Sequence, residues 1–212
     1  MKILLVNSNE NKDITKRMLE TARKVAFFST EVDGINANSG IPVVKSPEDI
    51  SKAADATYDV ILANEEKYDA FIIACFSDPG LEKVREACKK PVLGMAESCL
   101  FYASMRGAKY AVVTGEEKMC PVMEEQVKGY GLWDRCSGVF AVDVGYEETF
   151  LKKEELYPLY LEKIKEYKKT HRMDVLCLGG AVFTDWKKQL ENDLGIPVME
   201  GIEMAIKAAQ DM

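Results

Sequence analysis

The sequence consists of two halves of similar plan. The segment Lys2-Ile-Leu-Leu-Val-Asn resembles Lys109-Tyr-Ala-Val-Val-Thr at an offset of 107 residues, and Asp69-Ala-Phe-Ile-Ile-Ala-Cys75 resembles Asp174-Val-Leu-Cys-Leu-Gly-Gly180 at an offset of 105. A helix-like stretch and an apolar strand follow in each half, namely Pro91-Val-Leu-Gly-Met-Ala-Glu97 and Pro197-Val-Met-Glu-Gly-Ile-Glu203. Such a duplication predicts a pseudo-twofold molecule with a cleft between its halves. Cys75 and Gly180 hold the matching position at this cleft.

Short apolar runs alternate with longer stretches of helical period, which is typical of an α/β protein. We therefore predict two pseudo-twofold-related halves, each an open four-stranded parallel sheet covered by helices, and each long enough to hold its own core. The first half comprises residues 1–106 and carries Cys75, and the C-terminal helix can cross over to it. The second half comprises residues 107–212 and carries Thr114 and Gly180.

Near-continuous apolar runs indicate parallel strands that are buried on both faces. Ser46 followed by Pro47 predicts the start of a helix, because serine is a good N-cap and proline suits the first helical turn. Pro158 marks either a kink or a helix start. The predicted strands are 2–6, 27–32, 70–74 and 92–95 in the first half, and 110–113, 139–144, 175–179 and 198–199 in the second.

Composition excludes several classes of function. A net charge of −7 argues against nucleic-acid binding, and no stretch approaches the length of a membrane span. The opening apolar run is too short for a signal peptide, so we expect a cytoplasmic protein with free thiols. The chain has one histidine, and its six cysteines lack metal-ligand spacing, so a zinc site is not expected.

Cys75 is the predicted reactive residue. In open parallel sheets, ligands bind outside the carboxyl ends of the strands. Cys75 follows a predicted strand, and a turn then leads into a helix that begins near Leu81. Backbone N–H groups and the positive end of a helix would favour the thiolate there. Cys177 lies deeper in its strand and is predicted to be in the core, as are Cys88, Cys99 and Cys136.

Four segments together resemble the aspartate/glutamate/hydantoin racemase family, nearest its hydantoin racemase branch. They are Ile73-Ala-Cys-Phe-Ser-Asp-Pro-Gly80, the segment 91–97, Val113-Thr114, and Leu194-Gly-Ile-Pro-Val-Met-Glu-Gly201. The resemblance implies two flavodoxin-like halves, no cofactor, and two cysteines on opposite faces of the substrate, one removing the α-proton and the other returning a proton. The first family cysteine falls on Cys75. The second belongs in a Leu-Gly-Cys-Ala context, which here reads Leu178-Gly-Gly-Ala181, so the second base is lost at Gly180.

Other residues complete the expected site. Cys120 precedes a proline in the loop after Thr114 and is a candidate substitute for the second base. Glu97 and Glu200 are expected in matching places of the two halves. The predicted contacts for a carboxylate or hydantoin-like substrate, including backbone donors for an enolate, are Asn7, Phe76, Ser77, Thr114, Gly115, Gly179 and Gly180.

The leading hypothesis is a cofactor-independent racemase that moves a proton at the carbon next to a carboxylate or carbonyl, with Cys75 as acid/base. A single-cysteine decarboxylase or isomerase of the same superfamily is one alternative, and a non-catalytic binding protein with a degenerate site is another. A Cys–His hydrolase is disfavoured, because His171 precedes its strand and should lie at the opposite end of the sheet. The expected partner is a small-molecule substrate, and the sequence does not decide between a monomer and a homo-oligomer.

Overall fold

The computed structural model describes residues 1–212, which form two compact units. Residues Met1–Ser98 and Gly201–Met212 make the first unit, and Cys99–Glu200 make the second. The C-terminal helix therefore belongs with the first unit. None of the helices is both long enough and apolar enough to cross a membrane.

The sheet of the first unit has four parallel strands in the order β2-β1-β3-β4. One face of its two central strands packs in a cluster with α2 and α3, through Ile61, Leu81 and Val84. On the other side of the unit, α1 contacts α9. The strands are β1 (Lys2–Asn7), β2 (Glu31–Asn36), β3 (Ala70–Ile73) and β4 (Val92–Gly94), and the helices are α1 (Lys12–Val25), α2 (Pro47–Asn64), α3 (Leu81–Ala87), the start of α4 (Met95–Arg106), and α9 (Gly201–Gln210).

The second unit repeats this topology, with four parallel strands in the order β6-β5-β7-β8. The matching strand order confirms the predicted α/β fold of two similar open sheets covered by helices. The strands are β5 (Tyr110–Thr114), β6 (Cys136–Ala141), β7 (Val175–Leu178) and β8 (Val198–Glu200), and the helices are the remainder of α4, α5 (Cys120–Gly129), α6 (Tyr146–Leu151), α7 (Lys153–Thr170) and α8 (Lys187–Leu194).

Local sequence signals account for the helix starts. The side chain of Ser46 accepts the Asp49 N–H at 3.1 Å, and Asp49 in turn accepts the N–H of Lys45, so the predicted N-cap of α2 is confirmed. Asn11 caps α1 in the same way. Pro158 lies inside α7 and does not begin it.

The central strands match their predicted positions, but two edge strands do not. β2 begins at Glu31 instead of residue 27, and Phe27 and Phe28 are exposed. β6 begins at Cys136 instead of Val139, and its pairing with β5 contains a register shift. An edge strand pairs on one side only and need not be apolar throughout, so apolar content locates it poorly.

We predict that Cys177→Ser destabilises the protein. Cys177 is fully buried in β7, level with Val112 of β5 and Met199 of β8, so a hydroxyl there would lose its hydration. The expected loss in the free energy of unfolding is about 1–3 kcal/mol, measured by urea denaturation. Cys120→Ser is the control, because Cys120 is half-buried at the first position of α5 and should cost less. Equal stability of the two variants would contradict the prediction.

Candidate active site

Cys75 lies just beyond the carboxyl end of β3, as predicted. The N–H of Ala74 still donates to Val6 of β1, and the N–H of Asp78 donates to the Cys75 carbonyl at 2.9 Å, which closes a turn before α3 begins at Leu81. The thiol is half-buried against an apolar cluster of Ile41, Val44 and Ala53. Its sulfur lies 3.3 Å from the hydroxyl oxygen of Ser77.

The surroundings of Cys75 favour the protonated thiol. Burial raises the pKa of Cys75 above its usual range, and the charge of Asp78 raises it further, whereas hydrogen bonds from the hydroxyl and the N–H of Ser77 lower it. Burial has the largest effect, so the surroundings of Cys75 do not favour a thiolate as its place in the sequence predicted. The predicted N–H donors are present, but they only partly offset the cost of burying a charge.

Asp78 fixes the turn that carries Cys75. Its backbone is in the left-handed region, with φ at 42°, and its carboxylate accepts the N–H groups of Ala96 and Glu97 at 2.9 and 2.7 Å. These two groups belong to the first turn of α4 and have no partner within the helix. A Cβ on Gly94 would collide with the carboxylate, so glycine is required there. Sequence reasoning missed Asp78, although it lies inside the motif that carries the family resemblance.

Asn7 is fully buried at the end of β1, and its side chain forms hydrogen bonds with the loop and the helix that follow. Its side-chain nitrogen donates to Asn9 Oδ1, Asn11 O and Thr15 Oγ1 at 2.9 to 3.2 Å. These bonds occupy the donors that were expected to meet substrate, so a direct contact through Asn7 stays a prediction. Phe76 is buried and Ser77 is half-buried in the Cys75 turn.

In the second unit, Thr114 is the last residue of β5 and is fully buried. Its Oγ1 lies 2.6 Å from the hydroxyl oxygen of Tyr146, the first residue of α6. The carbonyls of Thr114 and Gly115 accept the N–H groups of Val142 and Val144, and these bonds hold the segment leading to Tyr146 against the end of β5. Sequence reasoning missed Tyr146, because it assigned no site residue to the segment after the edge strand β6.

Gly179 and Gly180 follow β7. The N–H of Gly179 donates to Val113 O at 2.8 Å and so continues the pairing with β5. Gly180 has an extended backbone, with φ at 167° and ψ at 145°, which any residue can adopt. A Cβ on Gly180 would lie 3.3 Å from Tyr146 Cε1 and 3.4 Å from Phe183 Cε2. Two aromatic rings therefore border Gly180, the position at which the sequence analysis expected a second cysteine.

The expectation that Glu97 and Glu200 hold matching places is wrong. β4 ends at Gly94 and β8 ends at Glu200, so Glu200 matches Gly94, and Glu97 matches Glu203. Glu97 forms a bidentate ion pair with Arg85 at 2.6 and 2.7 Å. Glu200 is 1% exposed, and its Oε1 accepts the hydroxyl of Thr184 at 3.2 Å.

The remaining candidates lie in less reactive surroundings. Burial raises the pKa of Cys120 to about 11, and the nearby Glu117 and Glu124 contribute to the increase, so its role as a substitute base stays a prediction. His171 is exposed at the end of α7, stacked on Tyr167, which confirms its predicted surface position. Cys177 is in the core, also as predicted.

Comparison with known proteins identifies the family. A family model described as Asp/Glu/Hydantoin racemase matches residues 3–209. The chain belongs to this family. It is 29% identical to the hydantoin racemase of Pseudomonas sp. (strain NS671), over 99% of this chain and 85% of that protein.

Two solved racemase structures have the same fold as this family member. The allantoin racemase of Pseudomonas fluorescens superposes with a TM-score of 0.96 at 28% identity, covering 100% of this chain and 90% of that one. The allantoin racemase of Klebsiella pneumoniae superposes with a TM-score of 0.94 at 26% identity, covering 100% and 86%. This racemase-family chain therefore resembles hydantoin and allantoin racemases along almost its full length.

We predict that two substitutions beside Cys75 shift its pKa in opposite directions. Ser77→Ala removes a hydrogen bond to the sulfur and should raise the pKa, whereas Asp78→Asn removes a nearby negative charge and should lower it. The rate of alkylation of Cys75 by iodoacetamide, followed against pH by peptide mass spectrometry, reports the thiolate fraction.

Asp69→Asn is the matched control for the charge change. Asp69 lies beyond the opposite, amino end of β3, where its carboxylate accepts the N–H of Lys2. Its replacement should not change the pH dependence of Cys75 alkylation. Shifts of Ser77→Ala and Asp78→Asn in the same direction would show that the hydrogen bond and the charge do not act as described.

Proposed function

We propose that this chain is a cofactor-independent racemase of five-membered cyclic ureides, that is, of hydantoins or allantoin, with Cys75 as an acid/base. The proposal is carried by one observation: the 28% identity to an allantoin racemase spans the whole chain with a TM-score of 0.96. The full-length similarity to a hydantoin racemase supports the same substrate class.

The chemistry fits a thiol at a strand end. The hydrogen that racemisation removes from such a substrate is on the ring carbon next to a carbonyl, and its removal places negative charge on the carbonyl oxygen. The Cys75 thiolate would take this proton, and backbone N–H groups and hydroxyls would stabilise the enolate. In the first unit, Phe76 and Ser77 are the proposed substrate contacts, and in the second, Thr114, Gly115, Gly179 and Gly180.

We predict that Cys75→Ser removes catalysis and leaves the fold intact. A hydroxyl has nearly the shape of a thiol but is a much weaker acid, so the exchange rate should fall at least about 100-fold. The measurement is loss of the ring C–H signal in D₂O, by NMR, for each enantiomer of a 5-substituted hydantoin and of allantoin separately.

Cys177→Ser is the control for loss of a thiol, because it should affect stability more than exchange. Full exchange by Cys75→Ser would refute the assignment of Cys75. If the wild-type protein exchanges no ring hydrogen but releases carbon dioxide from a malonic acid probe, the single-cysteine decarboxylase is the better description.

The raised pKa of Cys75 predicts an alkaline pH dependence. The reactive form is the thiolate, whose fraction increases with pH until the pH exceeds the pKa of the thiol. Because burial raises that pKa, kcat/KM for exchange should still be increasing above about pH 8.5, the ordinary thiol value. A rate that is already constant below pH 8 would contradict this interpretation.

A further inference from the structure

The ring of Tyr146 lies over two glycines at the carboxyl end of the second sheet. Carbon atoms of the ring are 3.4 Å from where a Cβ on Gly115 would be, and 3.3 Å from where a Cβ on Gly180 would be. Gly115 follows β5 and Gly180 follows β7, and these two strands are neighbours in the sheet. A Cβ on Gly115 would also lie 2.8 Å from the carbonyl oxygen of Val144, so the two glycines leave room for the tyrosine ring and for the segment that carries it.

The hydroxyl of this tyrosine has a defined partner. Its oxygen is 2.6 Å from Thr114 Oγ1, and the two residues are 7% and 0% exposed. The ring atom that borders Gly180 is Cε1, which is bonded to the carbon that carries the hydroxyl. The phenolic O–H is thus next to the position where the family has its second thiol.

The backbone gives no reason of its own for glycine at position 180. Its φ of 167° is an extended value open to every residue, so a cysteine is not excluded by conformation. What a side chain would meet is Tyr146 on one side and Phe183 on the other. At this position the chain therefore has no thiol and has a phenol ring in contact.

We propose that the Tyr146 hydroxyl is the second acid/base, in place of the missing cysteine, with Thr114 as its hydrogen-bonding partner. This inference rests on the proposed racemase function. The Cys75 thiolate takes the proton from the ring carbon and leaves an enolate. The Tyr146 O–H then gives its proton to the opposite face of the same carbon, and the C–H bond forms as the O–H bond breaks. The tyrosinate keeps its hydrogen bond to Thr114 and regains a proton from solvent, and Cys75 releases its proton to solvent.

Tyr146→Phe tests this role, because it removes the hydroxyl and keeps the ring over both glycines. In D₂O, the variant should invert neither enantiomer at more than about one hundredth of the wild-type rate. Cys75 can still remove and return a hydron on one face, so one enantiomer should exchange its ring hydrogen without inversion. If Tyr146 had only a structural role, the variant would lose exchange and inversion to the same extent.

Tyr160→Phe is the matched control. Tyr160 is also buried in the second unit, and its hydroxyl lies 2.9 Å from Thr149 Oγ1, so the variant loses a similar Tyr–Thr hydrogen bond. It should keep inversion and exchange in their wild-type ratio. Alkylation of Cys75 should be unchanged in both variants.

Tyr146→Phe combined with Gly180→Cys provides a rescue. A Cβ at position 180 requires the neighbouring ring to move by a few tenths of an ångström, and with a thiol on it inversion should recover at least tenfold over Tyr146→Phe alone. Wild-type inversion by Tyr146→Phe would overturn the inference, and so would equal losses of inversion and exchange without rescue. Absence of ring-hydrogen exchange in the wild-type protein would instead overturn the proposed function.

Discussion

The carboxylate of Asp78 holds the turn that carries Cys75, and the position of Cys75 depends on this interaction. The carboxylate binds two backbone N–H groups at the start of α4 and so links the loop after β3 to the strand and helix beside it. Buried N–H groups that lack a partner are costly, so the same bonds satisfy the helix and position the cysteine. They also use N–H groups that could otherwise stabilise an anion, which agrees with a Cys75 that keeps its proton.

The second unit also has a buried carboxylate at the end of its outer strand, but with a different partner. In the first unit, the carboxylate comes from the loop and the strand end is glycine, as Asp78 and Gly94. In the second, the strand end supplies the carboxylate and the loop supplies a hydroxyl, as Glu200 and Thr184. Both arrangements place one buried carboxylate at the end of the outer strand. The two halves therefore keep a carboxylate at matching places, although the residue that carries it belongs to a different element in each.

The sequence was sufficient for the fold and for the position of Cys75, because both depend on strong local signals. The central strands β3 and β7 are buried at every residue and read as continuous apolar runs. The edge strands β2 and β6 lack that signal, and both were misplaced. The segment after β6 carries Tyr146, and the sequence analysis assigned no site residue to it.

Periodicity in the sequence cannot predict contacts between residues that are distant in the chain. Tyr146 lies 32 residues after Thr114 and also well before Gly180 in the chain. Its hydroxyl nevertheless contacts Thr114, and its ring borders Gly180. No spacing rule connects these three positions. From the sequence alone, Gly180 was expected only as the position of a replaced cysteine. Its contact with Tyr146 depends on the structure, in which β5 and β7 are neighbouring strands.

The two proposed acid/base groups share one feature despite their different chemistry. Each is paired with a neutral hydroxyl, Cys75 with Ser77 and Tyr146 with Thr114. A neutral partner can pass a proton on but does not hold its neighbour as an ion, unlike a histidine or an arginine. Burial raises the pKa of Cys75, and phenols ordinarily keep their proton at neutral pH. Loss of the proton on Cys75 would then be the step that prepares the protein for turnover.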